Sequence, residues 1–75
     1  TAEEDYKTRL QEVVQQSPDA ALRYEVVGET GPDHDKKFTV SVWRNGTHLA
    51  DGIGRSKKAA EQNAAKKALE KLKQG

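Results

Sequence analysis

Asn45-Gly46 follows a run that alternates between two faces and precedes a second strand-like run, and this dipeptide restricts the fold more than any other feature of the chain. Both central positions of a type I′ hairpin turn require φ > 0, which Asn and Gly tolerate, so the flanking runs are predicted to pair as antiparallel strands. Upstream, Phe38, Val40 and Val42 share one face, and Thr39, Ser41 and Trp43 share the other. Downstream, a strand runs through Thr47-His48-Leu49-Ala50-Asp51 and ends at Gly52-Ile53-Gly54. A further strand precedes both. Leu22, Tyr24 and Val26 alternate with Arg23 and Glu25 over 22–27, after which Gly28 to Asp35 is expected to be a loop.

The ends of the chain change period. Tyr6, Leu10, Val13 and Val14 recur at helical spacing behind a possible N-cap at Asp5, and Ser17-Pro18-Asp19 closes the helix because a residue preceding proline avoids the αR region. In the last third, Ser56 can cap a helix whose apolar stripe is Ala60, Ala64, Ala65, Ala68, Leu69 and Leu72. A stripe made mostly of alanine implies close approach to a sheet. The expected class is α+β, in the order α-β-β-β-α, with two helices packed on one face of a three-stranded antiparallel sheet. Phe38, Val40 and Val42 would meet the helices, leaving Trp43 on the open face as a covering aromatic.

With 75 residues there is room for one domain, expected over residues 5–73 behind a frayed acidic linker at 1–4. The absence of cysteine excludes disulfides and thiolate zinc sites, so packing alone stabilises the chain. No apolar run approaches the roughly 20 residues of a membrane span, and no signal peptide is recognisable. A cytoplasmic protein with no membrane partner is expected.

The formal charge of +1 conceals an asymmetry. Residues 1–54 carry six Lys and Arg against ten Asp and Glu, whereas residues 55–75 carry seven against two. A basic terminal segment on an acidic body suits a polyanion partner, although charge alone does not separate that reading from a solvated lysine-rich helix.

Three segments could carry function. Thr8, Gln11, Glu12 and Gln15 form a polar face on the first helix, able to meet 2′-hydroxyls and base edges in the shallow minor groove of an A-form duplex; any amphipathic helix, however, has a polar face. Gly31-Pro32-Asp33-His34 is at least a shaped turn, and His34 with nearby backbone could enter a second minor groove. Gly54-Arg55-Ser56-Lys57-Lys58 opens the last helix, and its lysines are the sharpest signal. Cations in a first turn oppose the helix macrodipole, so their presence there points to an anion bound at the free N–H groups. Lys66, Lys67, Lys71 and Lys73 read as solvated surface. Catalytic readings are weak. Gly52-Ile53-Gly54 lacks the third glycine of a dinucleotide fingerprint, and Asp33, Asp35 and Asp51 form no dyad. No nucleophile and base assemble, and His34 and His48 have no metal-ligand spacing. No catalytic or metal residue is assigned.

From Asp5 to Leu72 the chain resembles the double-stranded-RNA-binding domain. The resemblance rests on Lys57-Lys58-x-Ala60-x-x-x-Ala64-Ala65-x-x-Ala68-Leu69, on Gly31-Pro32-Asp33-His34 and on Phe38-x-Val40, in that family's order. It implies that Thr8, Gln11 and Glu12 meet one minor groove, that Gly31, Pro32, Asp33 and His34 meet the next, and that Ser56, Lys57 and Lys58 hold the phosphates between them. Such a footprint spans about 16 base pairs and reads shape more than sequence. Many members carry a third lysine where this chain has Glu61; either Arg55 compensates for the loss or affinity is simply lower. Within the family, Tyr6-Lys7-Thr8-Arg9-Leu10-Gln11-Glu12 and Ala60-Glu61-Gln62 look like the C-terminal domain of bacterial ribonuclease III. This implies a Mg²⁺-dependent, homodimeric endoribonuclease as parent. Its acidic catalytic helix is absent from these residues, so the domain itself is expected to be monomeric, to need no cofactor and to cleave nothing. Two other classes compete: a protein–protein or dimerisation module on the same fold with weak RNA binding, and a small catalytic or metal-binding protein.

Overall fold

The computed structural model describes residues 5–74; the frayed linker expected at 1–4 lies outside the described residues. Five regular elements follow in order: helix α1 (Tyr6–Val14), strands β1 (Leu22–Thr30), β2 (Lys37–Arg44) and β3 (Thr47–Gly54), and helix α2 (Lys57–Gln74). The strands form one antiparallel sheet in the order β1-β2-β3. The α+β reading and the element order hold. No helix among the described residues is long and apolar enough to cross a membrane.

The hairpin forms where Asn45-Gly46 demanded it, with φ of 49° at Asn45 and 82° at Gly46. Asn45 also ties the turn to the residue that leads into β1, at the same end of the sheet. Its Oδ1 accepts the Ala21 N–H at 2.8 Å, and its own N–H donates to the Ala21 carbonyl at 3.0 Å. The side chain that permits the turn therefore also fixes the entry to β1.

The core joins Leu10 and Val14 of α1, Val40 and Val42 of β2, Leu49 of β3, and Ala60, Ala64, Ala65 and Ala68 of α2. Phe38, Tyr24 and Leu22 pack against its edge. Full burial of side chains such as Leu10, Val40 and Val42 stabilises by roughly 1.5–3 kcal/mol each. The alanine stripe works because β3 carries glycines beneath it. A Cβ on Gly52 would stand 2.1 Å from the Ala64 nitrogen and 2.5 Å from the Ala60 oxygen; one on Gly54 would stand 2.6 Å from the Ala60 nitrogen. The backbones of α2 and β3 are in direct contact. Gly52 and Gly54 are the seat of the helix.

Several expectations need correction. β1 continues to Thr30 instead of giving way to a loop at Gly28. A bulge at Val27 explains the misreading: Val26 pairs with Val40 and Gly28 with Thr39, so Val27 is left unpaired and 53% exposed, and the alternation breaks. What remains of the loop is Gly31, Pro32 and a 3-10 turn over Asp33–Asp35. Val13 and Leu72, expected on apolar faces, are 42% and 39% exposed, and they line an open groove with Tyr6 of α1 and Leu69 of α2 instead of entering the core. A second bulge shifts the register between Val42–Ala50 and Trp43–His48. It brings His48 Nε2 within 2.7 Å of Asp51 Oδ1, which also accepts from Ser41 Oγ. Beside them Trp43 covers the open face, edge-to-face with His48 at 5.1 Å and with Arg23 5.8 Å from its ring.

Two glycine replacements separate these constraints. Gly46→Ala meets no atom within 4 Å and should cost only the left-handed backbone penalty, about 1–2 kcal/mol. Gly52→Ala forces the helix off the strand and should cost about 3 kcal/mol or more, or prevent folding. Urea denaturation of both variants checks the order.

Candidate nucleic-acid interface

Helix α2 begins at Lys57, and Ser56 caps it: the Ala59 N–H donates to Ser56 Oγ at 3.0 Å, and the Ala60 N–H donates to the Ser56 carbonyl at 2.9 Å. The first turn contains no acid. Lys57 and Lys58 are exposed, and among the described residues neither forms an ion pair. The Lys57 ammonium lies 5.9 Å from the Phe38 ring. Two unneutralised cations thus stand at the positive end of the helix macrodipole, a combination that favours a bound anion.

The fold places the other two segments on either side of this turn. Lys58 lines one groove together with Thr8, Gln11 and Glu12 of α1 and its C-cap Gln15. Arg55 lines a second concavity with Asp33, His34 and Asp35 of the 3-10 turn. Thr8, Gln11 and Glu12 thus share a groove with Lys58, and Asp33 and His34 share one with Arg55, on either side of the turn that carries the lysines. Gly31 is held at φ 93°, and a Cβ there would stand 2.5 Å from the Asp35 carbonyl, so the loop closes only with glycine. The Asp35 N–H donates to the Pro32 carbonyl at 2.9 Å and completes the turn. Lys36 reaches back toward Glu29 at 3.3 Å and Asp33 at 3.9 Å, while His34 stays exposed.

Two expected residues also have structural duties. The Ser56 hydroxyl oxygen accepts the capping bond while its proton stays free to donate. The Thr8 hydroxyl donates to Asp5 Oδ2 at 2.6 Å, so toward an outside ligand it is chiefly an acceptor. Asp5 caps α1 through the Thr8 N–H at 3.2 Å. Donation from the Thr8 hydroxyl, reinforced by Gln62 Nε2 at 2.9 Å, holds the Asp5 carboxyl at about 2, well below the usual carboxylate range.

Sequence reasoning overlooked the clamp between the helices. Gln62 Oε1 accepts the Tyr6 N–H at 2.7 Å while its Nε2 holds Asp5, so one α2 side chain serves both the cap and a free N–H of α1. Beside it Lys7 pairs with Glu61 at 2.7 Å and lies 4.8 Å from the centre of the Tyr24 ring. Burial, with the negative charges of Glu61 and Asp5, raises the Tyr24 hydroxyl to about 12. These partners lie more than fifty positions apart in the chain, and no local spacing announces them. Glu61, read from the sequence as a missing cation, is an ion-pair partner.

An α-β-β-β-α domain with a lysine turn flanked by a polar helix face and a glycine-proline loop is the architecture of a duplex-RNA-binding module. The chain belongs to the double-stranded RNA binding motif family, whose pattern it matches over residues 6–72. It is 58% identical over 67 residues to Ribonuclease 3 of Streptococcus pneumoniae strain Hungary19A-6, covering 89% of this chain and 29% of that protein; the strain CGSP14 protein matches equally. Among solved structures, the first double-stranded-RNA-binding domain of HYL1 superposes with a TM-score of 0.71 at 37% identity, covering 91% of this chain and 96% of that one. The second such domain of DRB4 gives 0.65 at 35% identity, covering 93% and 97%.

The cap makes a pH prediction. Because the Asp5 value in the folded chain lies below that of a free carboxylate, its contribution to stability is complete above about pH 4 and is lost as the pH falls through about 2. Asp51 is shifted in the same direction, first by the Ser41 hydroxyl and then by His48. Urea midpoints at about pH 5 and about pH 2 should fall for the wild type and fall less for Asp5→Asn, which still caps but carries no charge.

Proposed function

We propose that this chain binds double-stranded RNA by shape, as the RNA-binding domain of a ribonuclease III-type endoribonuclease. The observation that carries this reading is the first turn of α2: unpaired Lys57 and Lys58 on a capped helix N-terminus, with α1 on one side and the Gly31–His34 loop on the other. Thr8, Gln11 and Glu12 would meet 2′-hydroxyls and base edges in one minor groove, and Gly31, Pro32, Asp33 and His34 would enter the next. Arg55, Ser56, Lys57 and Lys58 would hold the phosphates across the intervening major groove. A rigid frame that presents all three contacts together selects the groove spacing of an A-form helix, which is how a shape is read without reading a sequence.

The chain spans only 29% of the length of the ribonuclease 3 relatives it matches. In this reading hydrolysis of the RNA, the Mg²⁺ it requires, homodimerisation and a cytoplasmic setting belong to the larger enzyme, and the domain by itself acts as a monomer. Among the described residues no three His, Asp or Glu converge as metal ligands, so no reaction step is assigned to them.

Titration against duplex RNA, duplex DNA and single-stranded RNA of matched length, at two salt concentrations, tests the reading. Duplex RNA should bind preferentially, and more weakly as salt rises. Changing Lys57 and Lys58 together to alanine should weaken binding at least tenfold and lower the salt slope by about two. Gln11→Ala should weaken it by about 1 kcal/mol with the slope unchanged, since an amide neutralises no phosphate. Equal or absent binding to all three ligands would overturn the proposal and direct the search toward a protein partner.

A further inference from the structure

Glu61 follows Lys57 and Lys58 by four and three residues on α2, so a carboxylate stands within a turn of the two lysines assigned to phosphate. An uncompensated acid there would repel the ligand. It is compensated from the other helix: Lys7 Nζ lies 2.7 Å from Glu61 Oε1. The Lys7 ammonium also lies 4.8 Å from the Tyr24 ring centre, and Lys7 lines the same groove as Thr8, Gln11, Glu12 and Lys58. Its side chain nevertheless keeps 37% of its exposure, against 27% for Glu61. An ammonium has three donors, and the carboxylate engages one of them.

We infer that Lys7 is a further phosphate-binding cation of this surface, carried on α1 and not on α2, with Glu61 as the residue that positions it and competes with the RNA for it. The inference rests on the function proposed above. A lysine stem is flexible and loses much rotamer freedom when ordered. Glu61 and the Tyr24 ring confine that stem before any ligand arrives, so less freedom remains to be lost on binding. The same arrangement makes Glu61 a brake: a phosphate that takes a donor from Lys7 does so beside a carboxylate.

The test is the salt dependence of binding to a duplex RNA of about 16–20 base pairs, measured for the 75-residue chain, Lys7→Gln, Glu61→Gln and the double variant. Glutamine at position 7 keeps a donor for Glu61 while removing the charge, and thermal melting verifies that each variant is folded. Lys7→Gln should weaken binding several-fold and lower the salt slope by about one, both alone and in the Glu61→Gln background. Glu61→Gln alone should tighten binding with little change of slope. Lys7→Arg should retain the wild-type slope. If Lys7→Gln leaves slope and affinity unchanged once Glu61 is neutral, Lys7 serves only as the counterion of Glu61 and the inference is overturned. A wild-type chain without salt-dependent duplex binding would instead overturn the function on which the inference rests.

Discussion

Backbone contact between α2 and β3 is the constraint on which the rest of the structure depends. At Gly52 there is no room even for a methyl group between strand and helix, and the alanines above it present the smallest side chains that still bury apolar surface. This close seat fixes the height and direction of α2. From that follow the position of its lysine-bearing N-terminus beside Arg55 and the 3-10 turn, and the side of α2 against which α1 can lie. A core built on larger residues would have held the same elements farther apart and altered the spacing between the three contact segments, which is the quantity a shape-reading surface must control.

The two helix N-termini follow opposite electrostatic rules. At α1, the Asp5 carboxylate sits where the macrodipole favours it and satisfies free N–H groups, so the end is self-sufficient. At α2, Ser56 supplies the cap but the first-turn charges are lysines, each of which costs the helix a few tenths of a kcal/mol. The fold tolerates this because burial of the alanine seam, and not helix-end electrostatics, holds α2 in place. Gln62 and the Lys7–Glu61 pair then join the two ends, so the acidic cap of one helix and the basic turn of the other form a single rigid unit.

The elements and their order were legible because each announces its period locally: the Asn45-Gly46 turn, the alternation through Val40 and Val42, the spacing of Ala60, Ala64 and Ala68. The loop was legible because Gly31-Pro32 shapes a turn, and the lysine turn because Lys57 and Lys58 oppose the dipole of their own helix. Val27 was not, since a bulge inserts a residue into one strand without marking the sequence, and its effect was to hide the second half of β1. The exposure of Val13 was also hidden, because periodicity gives the direction of a side chain and not what covers it. Glu61 shows the same limit at the interface. Read along α2 it is an acid among cations, and only its distance from Lys7 gives it a counterion.

The sequence by itself determined what depends on neighbours in the chain: the strand and helix periods, the turn that permits φ > 0, the caps, and the lysines that oppose their own helix dipole. The tertiary structure alone decided what depends on residues far apart in the chain: which glycine seats the helix, which carboxylate holds Lys7, and how the two grooves align on either side of the lysine turn. The division is physical. Backbone preferences and dipoles act within a turn or two and leave local marks, whereas packing and ion pairing between α1 and α2 act through space and exist only once the alanine seam has closed on β3.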